Sequence, residues 1–182
     1  YGTPAEEGGS GKVYMVRAGL FDDVDSVLHW HPSSFNAANA ESSNANKSAK
    51  FRFSGISAHA AGSPHKGRSA LDGVEAMNMM VNMMREHIPQ ESRIHYVITK
   101  GGLAPNVIPD VAEVYYYVRH PKREKVNEIF NWVVKASEGA AIGTETTVTH
   151  EVMHGNYSKL PNQILQKIMH KNLVSRGGIQ YS

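Results

Sequence analysis

Apolar and polar positions alternate from Lys47 to Ser54, with Ala49, Phe51 and Phe53 set against Lys50, Arg52 and Ser54. Successive side chains of a strand point to opposite faces, so this stretch predicts a half-buried strand. Between Ser69 and Ile88 the period changes. Leu71, Val74, Met77, Val81, Met84 and Ile88 recur at three- and four-residue steps, which is helical spacing. The methionines at 77, 79, 80, 83 and 84 read as core filler more than as a soft binding surface. Arg93–Lys100 predicts a second strand. Val111–Arg119 predicts a third, with Ala112, Val114, Tyr116 and Val118 on one face and Glu113, Tyr115, Tyr117 and Arg119 on the other. A helix then opens at Pro121, carries Val126, Ile129, Phe130, Val133 and Val134 on its apolar stripe, and ends at Gly143. Thr144–Val152 is β-branched and predicts a fourth strand.

The order over 47–152 is therefore strand, helix, strand, strand, helix, strand. That is the βαββαβ, ferredoxin-like arrangement of the α+β class: four antiparallel strands with two helices on one face. The other face needs a cover or a partner. The flanks are weaker. Residues 11–18 predict a short helix ended by Gly19, and Ser26–Trp30 a short buried strand. From Pro32 to Lys47 Ser, Asn and Ala dominate and periodicity vanishes, which marks a boundary. A last helix is expected over Gln163–Leu173, and the run Gly177-Gly178-Ile179-Gln180 reads as a cut. The chain divides into 1–40, 47–155 and 156–182.

Composition narrows the function classes. A formal charge of +2 and no polybasic run argue against nucleic acid. With no cysteine there is no disulfide, thiolate ligand or thiol nucleophile, which fits a cytoplasmic protein. No apolar run approaches the roughly 20 residues that span a bilayer, so a membrane is not expected. The N-x-S sequons at Asn46 and Asn156 carry no meaning in such a setting.

Candidate chemistry lies in four places. Glu6 and Glu7 are adjacent carboxylates on a Gly- and Pro-flanked loop. Such a pair repels itself unless a cation lies beside it. In a metal hydrolase one carboxylate binds the ion while the other takes a proton from water. A helix start also attracts acidic pairs, and without context that is the commoner explanation. His29 and His31 stand at i and i+2, the same face of a strand, but two ligands are too few for a metal. His59 sits among small residues in a loop, with its ring free to reach outward or simply idle. Gly101, Gly102 and Asn106 form a turn that offers N–H groups and an amide to an anion, or closes a hairpin. Arg119 could fork a carboxylate or line a solvated sheet. Gly8-Gly9-Ser10-Gly11-Lys12 is not a phosphate loop, because Glu6 replaces the first glycine and Val13 the hydroxyl residue.

Four stretches, in order, resemble the dimetal aminoacylase and carboxypeptidase-G-type metallopeptidases, in their amidohydrolase branch. They are Gly2-Thr3-Pro4-Ala5-Glu6-Glu7-Gly8-Gly9, Val27-Leu28-His29-Trp30-His31-Pro32, Gly55-Ile56-Ser57-Ala58-His59-Ala60-Ala61 and Gly101-Gly102-Leu103-Ala104-Pro105-Asn106-Val107-Ile108-Pro109-Asp110. The resemblance implies a fragment of an enzyme that cleaves an amide joining an acyl or aroyl group to an amino acid, as in p-aminobenzoyl-glutamate. An N-acyl-amino-acid deacylase or dipeptidase of the same family is the alternative, and a non-catalytic ferredoxin-like dimerisation module a third. It implies Glu6 as general base, Glu7 and His31 as metal ligands, and His59 as an oxyanion donor reaching across a homodimer or heterodimer. Asn106 and Arg119, beside Gly101 and Gly102, would hold the substrate carboxylate. Two divalent ions, manganese or zinc, are implied, with too few ligands here to complete their site. Residues 1–40 and 156–182 would be pieces of an α/β catalytic domain, and 47–155 its lid. The fragment alone is expected to be inactive.

Overall fold

The computed structural model describes residues 1–178. Its elements in chain order are α1 (Gly11–Arg17), β1 (Ala45–Ser54), α2 (Ala70–Met84), β2 (Arg93–Lys100), β3 (Val111–His120), α3 (Arg123–Gly143), β4 (Thr147–Asn156) and α4 (Gln163–Ser175). The strands form one antiparallel sheet in the order β2-β3-β1-β4. With α2 and α3 inserted after β1 and β3, this is the ferredoxin-like topology that the alternating and helical periods predict.

Sequence periodicity sets the two faces. Odd-numbered residues of β1 and even-numbered residues of β3 point into one core, where Phe51, Phe53, Val114, Tyr116 and Val118 are fully buried. α2 covers them with Val74, Met77 and Val81, and α3 with Val126, Ile129, Phe130 and Val133. α2 starts cleanly because Ser69 accepts a hydrogen bond from the Asp72 N–H at 3.2 Å. α3 starts later than Pro121 suggests: Lys122 is its N-cap and Arg123 its first residue. β4 runs on to Asn156, with a register shift opposite Ser48/Ala49.

The flanks are built differently. α4 buries no residue, and α1 buries only Gly11. Val27, Leu28, Trp30 and Phe35 are exposed, and so are Leu160, Ile164 and Ile168. The two flanks lie beside each other, since Ser42 Oγ donates to the Lys159 carbonyl and Gln166 Nε2 to that of Ala38. The strand expected over Ser26–Trp30 does not form: these residues are exposed and without regular structure. A strand needs a ladder partner, and among the described residues none is offered there. α4 extends to Ser175, two residues past the expected Leu173. Ile179 and Gln180 of the predicted terminal run lie outside the described residues.

Candidate functional site

The sheet sorts the candidate residues into two groups, one at each end. At the end where β1 stops and β3 starts, the His59 loop and the 101–109 loop continue the β1–β3 ladder. Gly55 N–H donates to Asp110, Ile108 N–H to Ala58, and Ala60 N–H to Asn106. His59 and Asn106 are thereby held together, with His59 bridged to Val107. His59 Nδ1 accepts from the Ala61 and Gly62 N–H groups, at 3.2 and 2.9 Å. Accepting twice, Nδ1 carries no proton in the neutral ring, so Nε2–H is the free donor on an exposed imidazole. Ala60, Gly101, Gly102, Leu103, Pro105 and Val107 are among the residues that line an open cavity of about 540 Å³ beside it, and Asn106 is not one of them. Gly102 has φ +107 and needs its glycine.

At the other end lie Arg119 and the acidic turn. Gly9 N–H donates to Ala5, which closes the loop that presents Glu6 and Glu7 to solvent. Gly11 is required where the loop meets α1, because a Cβ would fall 2.0 Å from the Pro4 carbonyl. Ser10 Oγ donates to Asn156 Oδ1 at 3.1 Å, which ties the loop to the end of β4. The negative charge of Glu7 is close enough to act on Tyr117, two residues from Arg119 on the same face of β3.

From Val111 to Arg119 a strand covers roughly 26 Å at about 3.3 Å per residue. Asn106 and Arg119 therefore cannot grip one carboxylate within one chain, and His59 cannot serve the chain's own Glu6. This alters the arrangement expected from the sequence, in which Asn106 and Arg119 act together. Within one chain the two groups stay apart.

His29 and His31 are both exposed on the irregular segment, so the same-face strand pairing does not hold. His31 Nδ1 donates to the Pro32 carbonyl at 2.8 Å. That leaves Nε2 as the lone-pair nitrogen, the state of a metal-ligating histidine. Yet among the described residues no group of three or more His, Cys, Asp or Glu could hold an ion. Glu7 and His31 do not make a metal centre by themselves.

The face of the sheet away from the helices holds what sequence reasoning missed. Glu113 is buried there, accepting from Arg52 Nη2 and Thr99 Oγ1 at 2.8 Å each, with Lys50 Nζ at 3.6 Å. Burial pushes its carboxyl up, but these hydrogen bonds and charges outweigh it and hold it below the ordinary value. Further along, Tyr117 and His154 meet at 2.8 Å (Oη to Nε2). Burial is the main cause that raises Tyr117 to about 12 and lowers His154. A histidine and a tyrosine on polar faces of strands separated by one small residue, Ser48, would have been the signal.

Residues 42–145 match the family model for the peptidase dimerisation domain. The chain is 49% identical over 178 residues to one of the subunits of p-aminobenzoyl-glutamate hydrolase from Escherichia coli (strain K12), covering 97% of this chain and 37% of that protein. It is 34% identical to the Xaa-Arg dipeptidase of Mus musculus, covering 90% of this chain and 38% of that one. The crystal structure of the aminobenzoyl-glutamate utilization protein from Klebsiella pneumoniae shares the fold. Its TM-score is 0.73 at 24% identity, over 98% of this chain and 47% of that one. The chain thus spans well under half the length of these curated relatives. No helix among the described residues is long and apolar enough to cross a membrane. With more than half its length matched by the family model, the chain belongs to the M20 peptidase dimerisation-domain family.

Proposed function

We propose that this chain is the dimerisation and carboxylate-recognition part of an amidohydrolase. The whole enzyme would split the amide between an aroyl or acyl group and an amino acid, with p-aminobenzoyl-glutamate as the leading substrate. The observation that carries the reading is the acidic Glu6–Glu7 turn placed at the Arg119 end of the sheet. The 49% identity to the Escherichia coli p-aminobenzoyl-glutamate hydrolase chain supports that substrate.

Each residue then has one task. Arg119 receives the substrate carboxylate. Glu6 takes the proton of the attacking water and passes it to the leaving nitrogen. His59 and Asn106, from the second copy, meet the carbonyl oxygen as its charge develops, His59 through Nε2–H. Peptidases of this family are metal-dependent. Glu7 and His31 supply two ligands, and the remainder come from outside this stretch. Residues 1–40 and 156–182 belong to the catalytic domain, which explains their exposed apolar side chains, and 47–155 is the lid. Cytoplasmic placement belongs to the same reading.

The second copy docks through the β2 edge. That strand is an edge of the sheet and exposes Tyr96, Val97 and Ile98. α2 exposes Met79, Met80 and Met83. Edge strands with unpaired N–H and C=O groups template a further strand. The β4 edge exposes Val152 but is otherwise more polar, with Thr147, Thr149 and Glu151.

The test is hydrolysis of p-aminobenzoyl-glutamate by the complete enzyme with added manganese, beside its Glu6→Ala variant. Activity that falls at least about 100-fold in the variant supports the reading. Cleavage of other N-acyl amino acids or dipeptides alone moves the specificity to the deacylase and dipeptidase reading, which the Xaa-Arg dipeptidase similarity favours. No amide hydrolysis at all leaves a dimerisation module.

A further inference from the structure

On the open face of the sheet, at the end that carries Arg119, three buried side-chain atoms have no hydrogen-bond partner: Arg119 Nε, His154 Nδ1 and Asn46 Oδ1. They form one patch. Asn46 stands opposite Arg119 on one side and Asn156 on the other, and Ser48 stands between Tyr117 and His154 in the same way. Buried polar groups are normally paired, so the two orphaned nitrogens, Arg119 Nε and His154 Nδ1, mark a site that a ligand completes, while Asn46 Oδ1 is an acceptor and binds no anion. His154 is 9% exposed, and its free nitrogen belongs to this patch.

The charge points to an anion. Arg93 lies directly opposite Arg119 in the β2–β3 ladder, on the same face. Like charges across a ladder destabilise a sheet unless something neutralises them. Among the described residues no carboxylate pairs with Arg119.

A chain of hydrogen bonds leads to His154. Tyr115 Oη donates to Tyr117 Oη at 3.4 Å. Its only proton is then spent, so the Ser48 hydroxyl, 3.2 Å away, donates to Tyr115. Tyr117 Oη lies 2.8 Å from His154 Nε2, and in the arrangement where its hydroxyl is the donor the proton points to that nitrogen. The chain runs in one direction, from Ser48 through Tyr115 and Tyr117 to His154. In that arrangement Nε2 accepts and Nδ1 bears the proton, and this is the tautomer we assign to His154. The small, fully buried Ser48 makes this possible, because it lets the two rings meet across β1, edge to face at 4.9 Å. Tyr117 also lies under the guanidinium of Arg119, at 5.4 Å from its centroid.

We propose that His154 Nδ1–H is a second donor, beside Arg119 Nε, to the carboxylate of the substrate, and that Tyr117 positions both. The proposal rests on the reading that Arg119 receives that carboxylate. It adds a substrate-binding residue on β4 and a positioning residue on β3. The pair fixes which amino-acid substrates bind, because a carboxylate that satisfies one donor and not the other leaves a buried polar group unpaired.

The test uses the complete enzyme with p-aminobenzoyl-glutamate, comparing His154→Phe, His154→Gln, His154→Asn, Tyr117→Phe and Arg119→Ala. An asparagine amide places a donor near Nδ1, whereas a glutamine amide reaches toward Nε2. The expected result is a KM raised about tenfold in His154→Phe and His154→Gln with kcat nearly unchanged, and a KM within about twofold of wild type in His154→Asn. Tyr117→Phe raises KM by a smaller factor. Free glutamate, as a competitive inhibitor, weakens in step. If Arg119→Ala raises KM while the His154 and Tyr117 variants do not, the proposal falls and the Arg119 reading stands. If Arg119→Ala also leaves KM unchanged, the carboxylate reading itself falls. Should His154→Phe fail to fold, the Asn and Gln pair still decides, since a merely structural role would not sort them by where the donor sits.

Discussion

Single residues carry much of the stability of this fold because its sheet is polar on one side and tightly packed on the other. Tyr116 Oη, in the core, donates to Asn78 Oδ1 at 2.5 Å, and both residues are buried. Asn78→Ala leaves that hydroxyl without a partner, and thermal or denaturant unfolding should show a loss of about 2 kcal/mol. Glu113 is a different case. Its carboxyl is held below its ordinary value of 4.5 although burial acts the other way, because Thr99, Arg52 and Lys50 surround it. A depressed folded value gives stability that is present above pH 4.5 and lost as pH falls through the folded value. Glu113→Gln should cost on the order of 1 kcal/mol at pH 7, since Arg52 is largely exposed. The gap between the two proteins should close as the unfolding experiment is repeated at decreasing acidic pH.

At the scale of elements, the packing of α2 on β1 fixes how close helix and sheet approach. Gly73 lies where a Cβ would fall 2.5 Å from Phe53 Cδ1. Phe53 is fully buried and cannot swing aside. Gly73→Ala would gain about 1 kcal/mol in helix propensity. Overpacking costs about 1–3 kcal/mol, so the net effect should be destabilising. A stabilised Gly73→Ala protein in a denaturant titration would show that α2 can lift from the sheet. The α2–β2 side has the opposite character, with methionines and edge residues left bare. Met79→Glu together with Met83→Glu should leave unfolding nearly unchanged and shift the complete enzyme from dimer to monomer in sedimentation.

For the whole molecule, the two ends of the sheet lie too far apart for His59 and Glu6 of one chain to meet. His59 and Asn106 belong to one end, and Arg119 and the acidic turn to the other. This leads to a subunit-mixing result. Glu6→Ala and His59→Ala enzymes should each be inactive as homodimers. Mixed at equal amounts and allowed to exchange, they should recover about a quarter of wild-type activity. Half of the dimers are then mixed, and each mixed dimer has one intact site. No recovery, with exchange verified, would place His59 in the chain's own site or outside the chemistry.

What the sequence determined by itself was the plan of 47–152. The alternation around Phe51 and Phe53 and the helical steps from Leu71 to Ile88 are local patterns. Burial on one face of a strand or helix demands them, so they survive without a partner in view. The family resemblance was also legible, because its four motifs are contiguous runs. The fold decided the rest. Ser26–Trp30 has the apolar content of a strand but no ladder partner, and only the tertiary structure shows that. His154 and Tyr117 stand 37 residues apart in sequence. They meet because β1 lies between their strands and presents a serine there. Asn106 and Arg119 stand far closer in sequence, yet an extended β3 drives them to opposite ends of the sheet. Periodicity reports which face a residue takes; only the order and length of the strands report which residues become neighbours.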